Sequence, residues 1–255
     1  MKFLKTSLAA IALASLAACG GDDADDRLNL ADPTIRFVDA APYNTNVTLY
    51  RNEVAQSDAS NFGYKSASLY FDTSGDAANW TIRPTNSITS LLASVQVDPD
   101  RGDRHTIVAL PNGTGMDALL IRDPYRKSLT SDDSRVRVVN AAFNAGAVDV
   151  YLTRTDAVLA NATPSFANVQ FKQSAPASGA DSREFDGGTY RLVATTANSK
   201  NPIFSAVVDL GDNADWLLVP LPAVDGAANA SSAIKFLLVE GNKASTVSRE
   251  IVSAP

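Results

Sequence analysis

The chain has one cysteine and one histidine among its 255 residues. Cys19 has no second thiol for a disulfide or a thiolate metal site, and His105 alone cannot form a histidine zinc site. A serine–histidine triad would have to use His105 as its base. Walker, G-x-G-x-x-G, G-x-S-x-G and H-E-x-x-H sequences do not occur. We therefore expect a protein that is not an enzyme and has no cofactor.

Long apolar runs are also missing, but the amino terminus has the parts of a signal peptide. Lys2 and Lys5 precede the apolar segment Leu8–Leu16, which is shorter than the roughly 20 residues that span a bilayer. The run Leu16-Ala17-Ala18-Cys19 resembles the bacterial lipobox. That resemblance implies cleavage after residue 18 and lipid on Cys19; an ordinary secretory leader with a chance cysteine is the alternative. The predicted location is the bacterial cell envelope, and Gly20 after the cysteine favours the outer membrane.

Acidic residues outnumber basic ones, and they are dense after the cysteine. Loss of Lys2 and Lys5 with the leader gives a mature net charge of 20 − 28 = −8. A chain this acidic repels nucleic acid, so we expect none as a partner and expect membrane attachment through lipid alone. Residues 19–32 read as a lipidated, solvated tether. A metal-binding acidic patch is the alternative there, although regular ligand spacing is missing. The acidic residues of this segment are Asp22, Asp23, Asp25, Asp26 and Asp32.

The mature chain contains an internal duplication. Residues 35–50 and 136–151 align without a gap at a shift of 101 and share six identities in 16, where unrelated segments share about one. Units of this length are too long for solenoid repeats and indicate two tandem domains. The predicted ranges are 33–130 and 133–255. Much of the second copy's extra length falls in the polar stretch 173–187, which is typical of a loop.

Each copy has the pattern of short β-strands. Apolar residues alternate with polar ones in the first strand, where Arg36 and Arg137 hold equivalent polar positions. Continuous apolar runs of strand length follow at 107–110 and 217–221, and 87–95 is the best candidate for a short helix. The sequence predicts an all-β protein, with two tandem immunoglobulin-like β-sandwich domains after a lipoprotein signal peptide and acidic tether.

Several of these segments resemble a known bacterial family. The runs 137–142, 147–151 and 188–190, read as RVVNAA, AVDVY and GTY, are similar to the family called domain of unknown function 4397. The resemblance is stronger over 135–240 than over 33–125. It implies a sandwich fold and a location outside the cytoplasm, and it transfers no catalytic residue. Relatives often have histidine where this chain has Asp39 and Asn140.

Two acidic turns at equivalent places are candidate calcium sites, although solvated hairpin turns are the simpler interpretation. Neither turn has the full ligand spacing of an EF-hand. The candidate ligands are Asp98, Asp100 and Asp103 in the first copy and Asp209, Asp212 and Asp215 in the second.

Aromatic side chains are the other candidate binding residues. Trp80, Tyr190 and Trp216 lie in strand patterns and are expected in the core, and Trp216 is also the counterpart of His105. Tyr50 and Tyr151 lie opposite the apolar positions of their strands, so they either fill the second side of the sheet or face a ligand.

These observations together favour a non-enzymatic envelope lipoprotein that acts as a structural or partner-binding module. Its partner would be an envelope protein or a polysaccharide. A carbohydrate-binding or calcium-dependent adhesive module is the alternative, and an extracytoplasmic hydrolase is a weaker one. The ligand, the oligomeric state and the membrane leaflet are not fixed by the sequence.

Overall fold

A computed structural model describes residues 28, 30–43, 45–113, 115–225, 233–241 and 248–254. Cys19, the predicted signal peptide and most of the predicted tether lie outside these residues. The described part of the chain forms no helix that could cross a membrane.

The first copy folds into two sheets that pack face to face. Sheet A has the order β4-β1-β8-β9, with β5 also paired to β1, and sheet B has the order β3-β2-β6-β7. Strand β1 runs parallel to β8, which departs from the antiparallel sheets of immunoglobulin sandwiches. The strands of this copy are β1 (Thr34–Asp39), β2 (Val47–Arg51), β3 (Val54–Ala55), β4 (Ser66–Ala67), β5 (Phe71–Asp72), β6 (Ala78–Pro84), β7 (Ala93–Val97), β8 (Arg104–Asn112) and β9 (Gly115–Asp123).

The second copy repeats this arrangement in sheets C and D. Sheet C has the order β13-β10-β17-β18-β19, with β14 also paired to β10, and sheet D has the order β12-β11-β15-β16. Its strands are β10 (Ser134–Val139), β11 (Val148–Thr153), β12 (Phe166–Val169), β13 (Ser174–Ala175), β14 (Arg183–Phe185), β15 (Gly188–Thr196), β16 (Pro202–Leu210), β17 (Asp215–Pro222), β18 (Ile234–Glu240) and β19 (Ser248–Ile251).

The strand registers confirm the duplication. Ile35 pairs with His105 across β1 and β8, and Val136 pairs with Trp216 across β10 and β17. The alignment of His105 with Trp216 thus holds in three dimensions. The all-β sandwich class is confirmed, and short 3₁₀ turns are the helical segments that this part of the chain forms.

Two local predictions are corrected. Residues 87–95 form turns and the start of β7 rather than a helix, because Ala93–Val97 pairs with β6 as an edge strand. The stretch 173–187 is not a plain loop, because β13 and β14 within it pair with β10.

Each sandwich has its own core, and a third core joins the two. Sheets A and B enclose one core around Phe37 and Trp80, and sheets C and D enclose another around Phe236. The outer faces of sheets A and C then pack on each other, so that the four sheets stack in the order B-A-C-D. This inter-sandwich core consists of Val38, Ala40, Ala67, Val108, Leu110, Ile121, Val139, Ala141, Leu217, Val219, Leu221, Leu237 and Val239. The two copies therefore form one packed unit and not two independent domains joined by a linker.

Candidate functional site

The acidic turns connect sheets, so they are not hairpins as expected. Residues 98–103 lead from β7 in sheet B to β8 in sheet A. Within this turn Asp98 is exposed, while Asp100 and the buried Asp103 both accept hydrogen bonds from Arg122. The carboxylates are thus engaged with a guanidinium.

In the second acidic turn, too, the buried carboxylate lies beside an arginine. Asp209 and Asp212 are exposed, but Asp215 is buried and lies 3.5 Å from the Nη1 atom of Arg104. In the part of the chain that the structure describes, three or more metal-ligating side chains do not converge anywhere. Calcium binding at these turns stays a prediction, and the arrangement of the carboxylates does not favour it.

The two candidate ligand-facing tyrosines are buried. Tyr50 is 7% exposed with the Arg83 guanidinium 5.1 Å from its ring centre, and Tyr151 is 1% exposed with the Lys200 ammonium at 4.8 Å. They fill the second side of sheets B and D, and the long cationic side chains cover them. The expectation of ligand-facing rings at these positions is therefore corrected. Trp80 and Trp216 are also buried, as the strand pattern predicted.

His105 lies in the core between sheets A and B and is 1% exposed. Burial lowers its pKa, and the nearby carboxylate of Asp103 opposes that effect in part. The imidazole is therefore neutral and closed to solvent near pH 7, which fits a structural side chain.

A surface cleft of about 580 Å³ lies at one end of the first sandwich. It is formed by the β1–β2 turn, the β6–β7 turn and the tip of the β8–β9 hairpin. The lining combines prolines and one tyrosine with small neutral polar side chains, and it contains no acidic or basic side chain. The lining residues are Ala41, Pro42, Tyr43, Thr45, Pro84, Asn86, Ser87, Pro111, Gly113 and Gly115. The sequence motifs did not indicate this cleft, because its residues come from three distant turns.

A carboxyl group bonded to the turn that lines this cleft is unusual. Asp39 ends β1, is 1% exposed, and accepts the Ala41 N–H on Oδ1 at 3.0 Å. Its Oδ2 atom is buried without a hydrogen-bond partner. Burial raises the pKa of Asp39 to about 7, against the opposing effect of the Ala41 N–H.

The cleft lies at the end of the sandwich opposite residues 31–34, which would follow the predicted tether. The entry end consists of residues 31–34 and 102–104, joined by hydrogen bonds from Thr34 N–H to the Asp103 carbonyl and from Gly102 N–H to the Ala31 carbonyl. Strand β1 runs from this entry end to the cleft, a distance of about 17 Å for its five residue steps. A ligand in the cleft would therefore sit away from the tether.

The entry end holds a charged cluster between the two sandwiches, which the sequence analysis missed. Asp123 accepts hydrogen bonds from Arg135 at 2.7 Å and from Arg137 at 3.4 Å. The ring of Tyr125 lies between the guanidinium carbons of Arg104 and Arg135, at 3.5 and 4.4 Å from its centre. Two buried arginines of sheet C, Arg135 and Arg137, are thus held by one carboxylate of sheet A, and Tyr125 makes cation–π contacts with arginines of both sheets. The sequence feature that could have indicated this cluster is the arginine that recurs in the first strand of each copy, as Arg36 and Arg137.

A second inter-sandwich ion network lies near the other end. Lys65 of the first copy contacts Asp225 at 2.9 Å and Glu250 at 2.7 Å. Lys235 also contacts both carboxylates. Together with the shared core, these contacts fix the cleft relative to the second sandwich.

Comparison with known proteins supports one family. The described chain is a tandem β-sandwich protein. Residues 33–151 match the model of a family described as domain of unknown function (DUF4397), which confirms the resemblance for that part of the chain. The match covers the whole first copy, where the sequence resemblance was the weaker one, and continues through β10 into β11.

Other comparisons are more distant. No curated protein matches this chain. A solved structure with limited similarity is CBMbc, a family CBM26 module of Amy13K from Eubacterium rectale in complex with maltoheptaose. The identity is 9%, the alignment covers 88% of this chain and 98% of that chain, and the TM-score is 0.23. A resemblance at this level supports no statement about what this chain binds.

Proposed function

We propose that this protein is a non-enzymatic, lipid-anchored binding module of the bacterial cell envelope. The cleft at the end of the first sandwich would hold its ligand. The observation that carries the proposal is the lining of this cleft, which offers an aromatic ring, prolines and neutral hydrogen-bonding groups but no acid, base or nucleophile with an activating neighbour.

The anchor and the cleft are compatible in geometry. Fifteen residue steps separate Cys19 from Thr34, so the tether reaches at most about 50 Å. The chain enters the fold at the end opposite the cleft, and the cleft would then be presented away from the membrane. Replacement of Cys19 by Ser tests the anchor: the protein should move from the membrane fraction to the soluble fraction. Retention of the variant on membranes would contradict lipid anchoring.

A neutral polysaccharide is the ligand class that the cleft suits best. The Tyr43 ring, 36% exposed, can stack on the apolar face of a sugar, while Asn86 and Ser87 can exchange hydrogen bonds with hydroxyl groups. Because the mature chain carries a predicted net charge of −8, an anionic glycan would be repelled.

A matched pair of variants in the β6–β7 turn tests this binding role. Ser87 lines the cleft, whereas Ser90 lies in the same turn, is exposed and is not part of the lining. The full chain should bind a neutral glycan on an array of neutral and anionic bacterial glycans. Ser87→Trp should abolish that signal and Ser90→Trp should keep it. Equal binding by both variants, or binding to anionic glycans alone, would contradict the proposal.

A further inference from the structure

The turn after the first strand, which lines the cleft in the first copy, is held by equivalent hydrogen bonds in both copies. Oδ1 of Asp39 accepts the Ala41 N–H at 3.0 Å, and Oδ1 of Asn140 accepts the Ala142 N–H at 2.9 Å. The backbone carbonyl of Asp39 accepts the backbone N–H of Lys65, and that of Asn140 accepts the backbone N–H of Lys172, both at 2.8 Å. The two side chains therefore occupy equivalent positions.

The second terminal atom distinguishes the two copies. In the second copy, Nδ2 of Asn140 donates to the Gly146 carbonyl at 2.7 Å and to the Val169 carbonyl at 2.9 Å, which closes the turn. In the first copy, the corresponding atom is Oδ2 of Asp39, which is buried and has no partner.

The repeat also identifies the groups that this oxygen faces. Thr45 corresponds to Gly146 at the shift of 101. Phe62 corresponds to Val169, because Phe62 pairs with Val47 at the start of β2 and Val169 pairs with Val148 at the start of β11. In the second copy these positions supply the carbonyl oxygens that Nδ2 of Asn140 binds, so the repeat places the carbonyls of Thr45 and Phe62 as the expected acceptors for Oδ2 of Asp39. A carboxylate cannot donate to them, whereas the O–H of a carboxylic acid can.

We propose that Asp39 is a proton-operated latch on the cleft. In the protonated form, Oδ2 donates as Nδ2 of Asn140 does and holds Ala41, Pro42, Tyr43 and Thr45 in the arrangement that lines the cleft. In the ionised form, the buried oxygen loses this bond and the turn loosens. The effect on ligand binding depends on the proposed function, but the latch itself does not.

The surroundings place the transition near neutral pH. Burial raises the pKa of Asp39 to about 7. Tyr64 of the β3–β4 connection lies close enough for the charge of Asp39 to affect its pKa, and Lys65 contacts Asp39 through its backbone N–H while its ammonium is held by Asp225 and Glu250. A cation that would stabilise an ionised Asp39 is therefore engaged elsewhere. With this pKa, about a tenth of Asp39 is protonated at pH 8 and about a hundredth at pH 9.

Hydrogen exchange of the full chain, followed by mass spectrometry between pH 5 and 9, tests the latch. The readout is the protection of a peptide covering residues 40–46, as a ratio between wild type and Asp39→Asn at each pH, so that the intrinsic dependence of exchange cancels. We expect this ratio to stay near 1 below pH 6 and to fall about tenfold by pH 8. The matched variant Asn140→Asp should create the same pH dependence in residues 141–147.

A constant ratio across the pH range would overturn the latch, and so would an Asn140→Asp variant without new pH dependence. These readouts need no ligand. Failure of the latch thus leaves the glycan-binding test of Ser87→Trp intact, and failure of glycan binding leaves the latch intact.

Discussion

Replacement of Asp123 by Asn should destabilise the whole protein more than any exposed ion pair could. Asp123 is 6% exposed and is the carboxylate that binds both Arg135 and Arg137, which are 1% and 3% exposed. Removing one partner of a buried ion pair costs about 3–5 kcal/mol, because the remaining charge is left uncompensated. A domain is stable by only about 5–15 kcal/mol, so this loss would be a large fraction of the total.

Urea unfolding followed by tryptophan fluorescence measures this effect. Trp80 reports on the first sandwich and Trp216 on the second, and the shared core predicts that both report one transition. The control is Asp181→Asn, which removes a weaker contact to Arg135 at 3.4 Å from a side chain that is 38% exposed. We expect Asp181→Asn to cost less than about 1 kcal/mol. Equal, small effects of both variants would refute the reasoning.

The same carboxylate should contribute to acid sensitivity. Burial alone would raise the pKa of Asp123, but the guanidinium groups of Arg135 and Arg137 outweigh it and hold the pKa below the usual 3.8. Because the folded-state pKa is depressed, the stabilisation is complete well above pH 3.8 and is lost as the pH falls through the folded value. Unfolding measured from pH 6 down to pH 2 should show a shallower decline for Asp123→Asn than for wild type. Parallel declines would contradict this assignment.

Four further variants test the packing and the buried histidine. Leu217→Ala opens a cavity in the inter-sandwich core and should cost about 2–5 kcal/mol in urea unfolding, with both tryptophans shifted together; a shift of one alone would show that the sandwiches unfold separately. Gly241→Ala should cost about 1–3 kcal/mol in the same assay, because its Cβ would lie 2.9 Å from the Tyr70 ring, whereas Gly211→Ala meets no atom within 4 Å and should change little. His105 has a lowered pKa, so its stabilisation is present above pH 6.5 and is lost as the pH falls; thermal melts of His105→Phe should depend less on pH below 6.5 than those of wild type, and an unchanged dependence would refute this.

The duplication and the strand positions could be predicted from the sequence because they depend on local pattern. The shift of 101 residues carries directly into the registers of β1 with β8 and of β10 with β17. Alternation of apolar and polar residues also identified the core-facing sides of the first two strands in each copy. The sides identified in this way are the ones that meet in the core of each sandwich.

The packing of one sandwich on the other could not be predicted in this way. Alternation shows that Arg36 and Arg137 point away from their own core, but it cannot distinguish solvent from a polar interface. Both arginines are 3% exposed because each lies on the face of its sandwich that packs against the other copy. Tyr50 and Tyr151 were ambiguous for the same reason, and here the cover is a lysine or arginine from a neighbouring strand or turn. The cleft was also missed, since three turns far apart in sequence form it.

Duplication has left two units that share a fold but differ at the positions relevant to binding. The face between the sandwiches is fixed by apolar packing and buried ion pairs, so it is not available to a ligand. The free ends of the sandwiches are where the copies have diverged, with Asp39 in one turn and Asn140 in the other. An amide can donate a hydrogen bond to its turn at every pH, whereas a buried carboxyl group can donate one only when it is protonated. The turn after Asn140 should therefore keep its hydrogen bonds at every pH, whereas the turn after Asp39 should lose one as the pH rises. This difference between the copies assigns the pH-dependent turn to the one that lines the cleft.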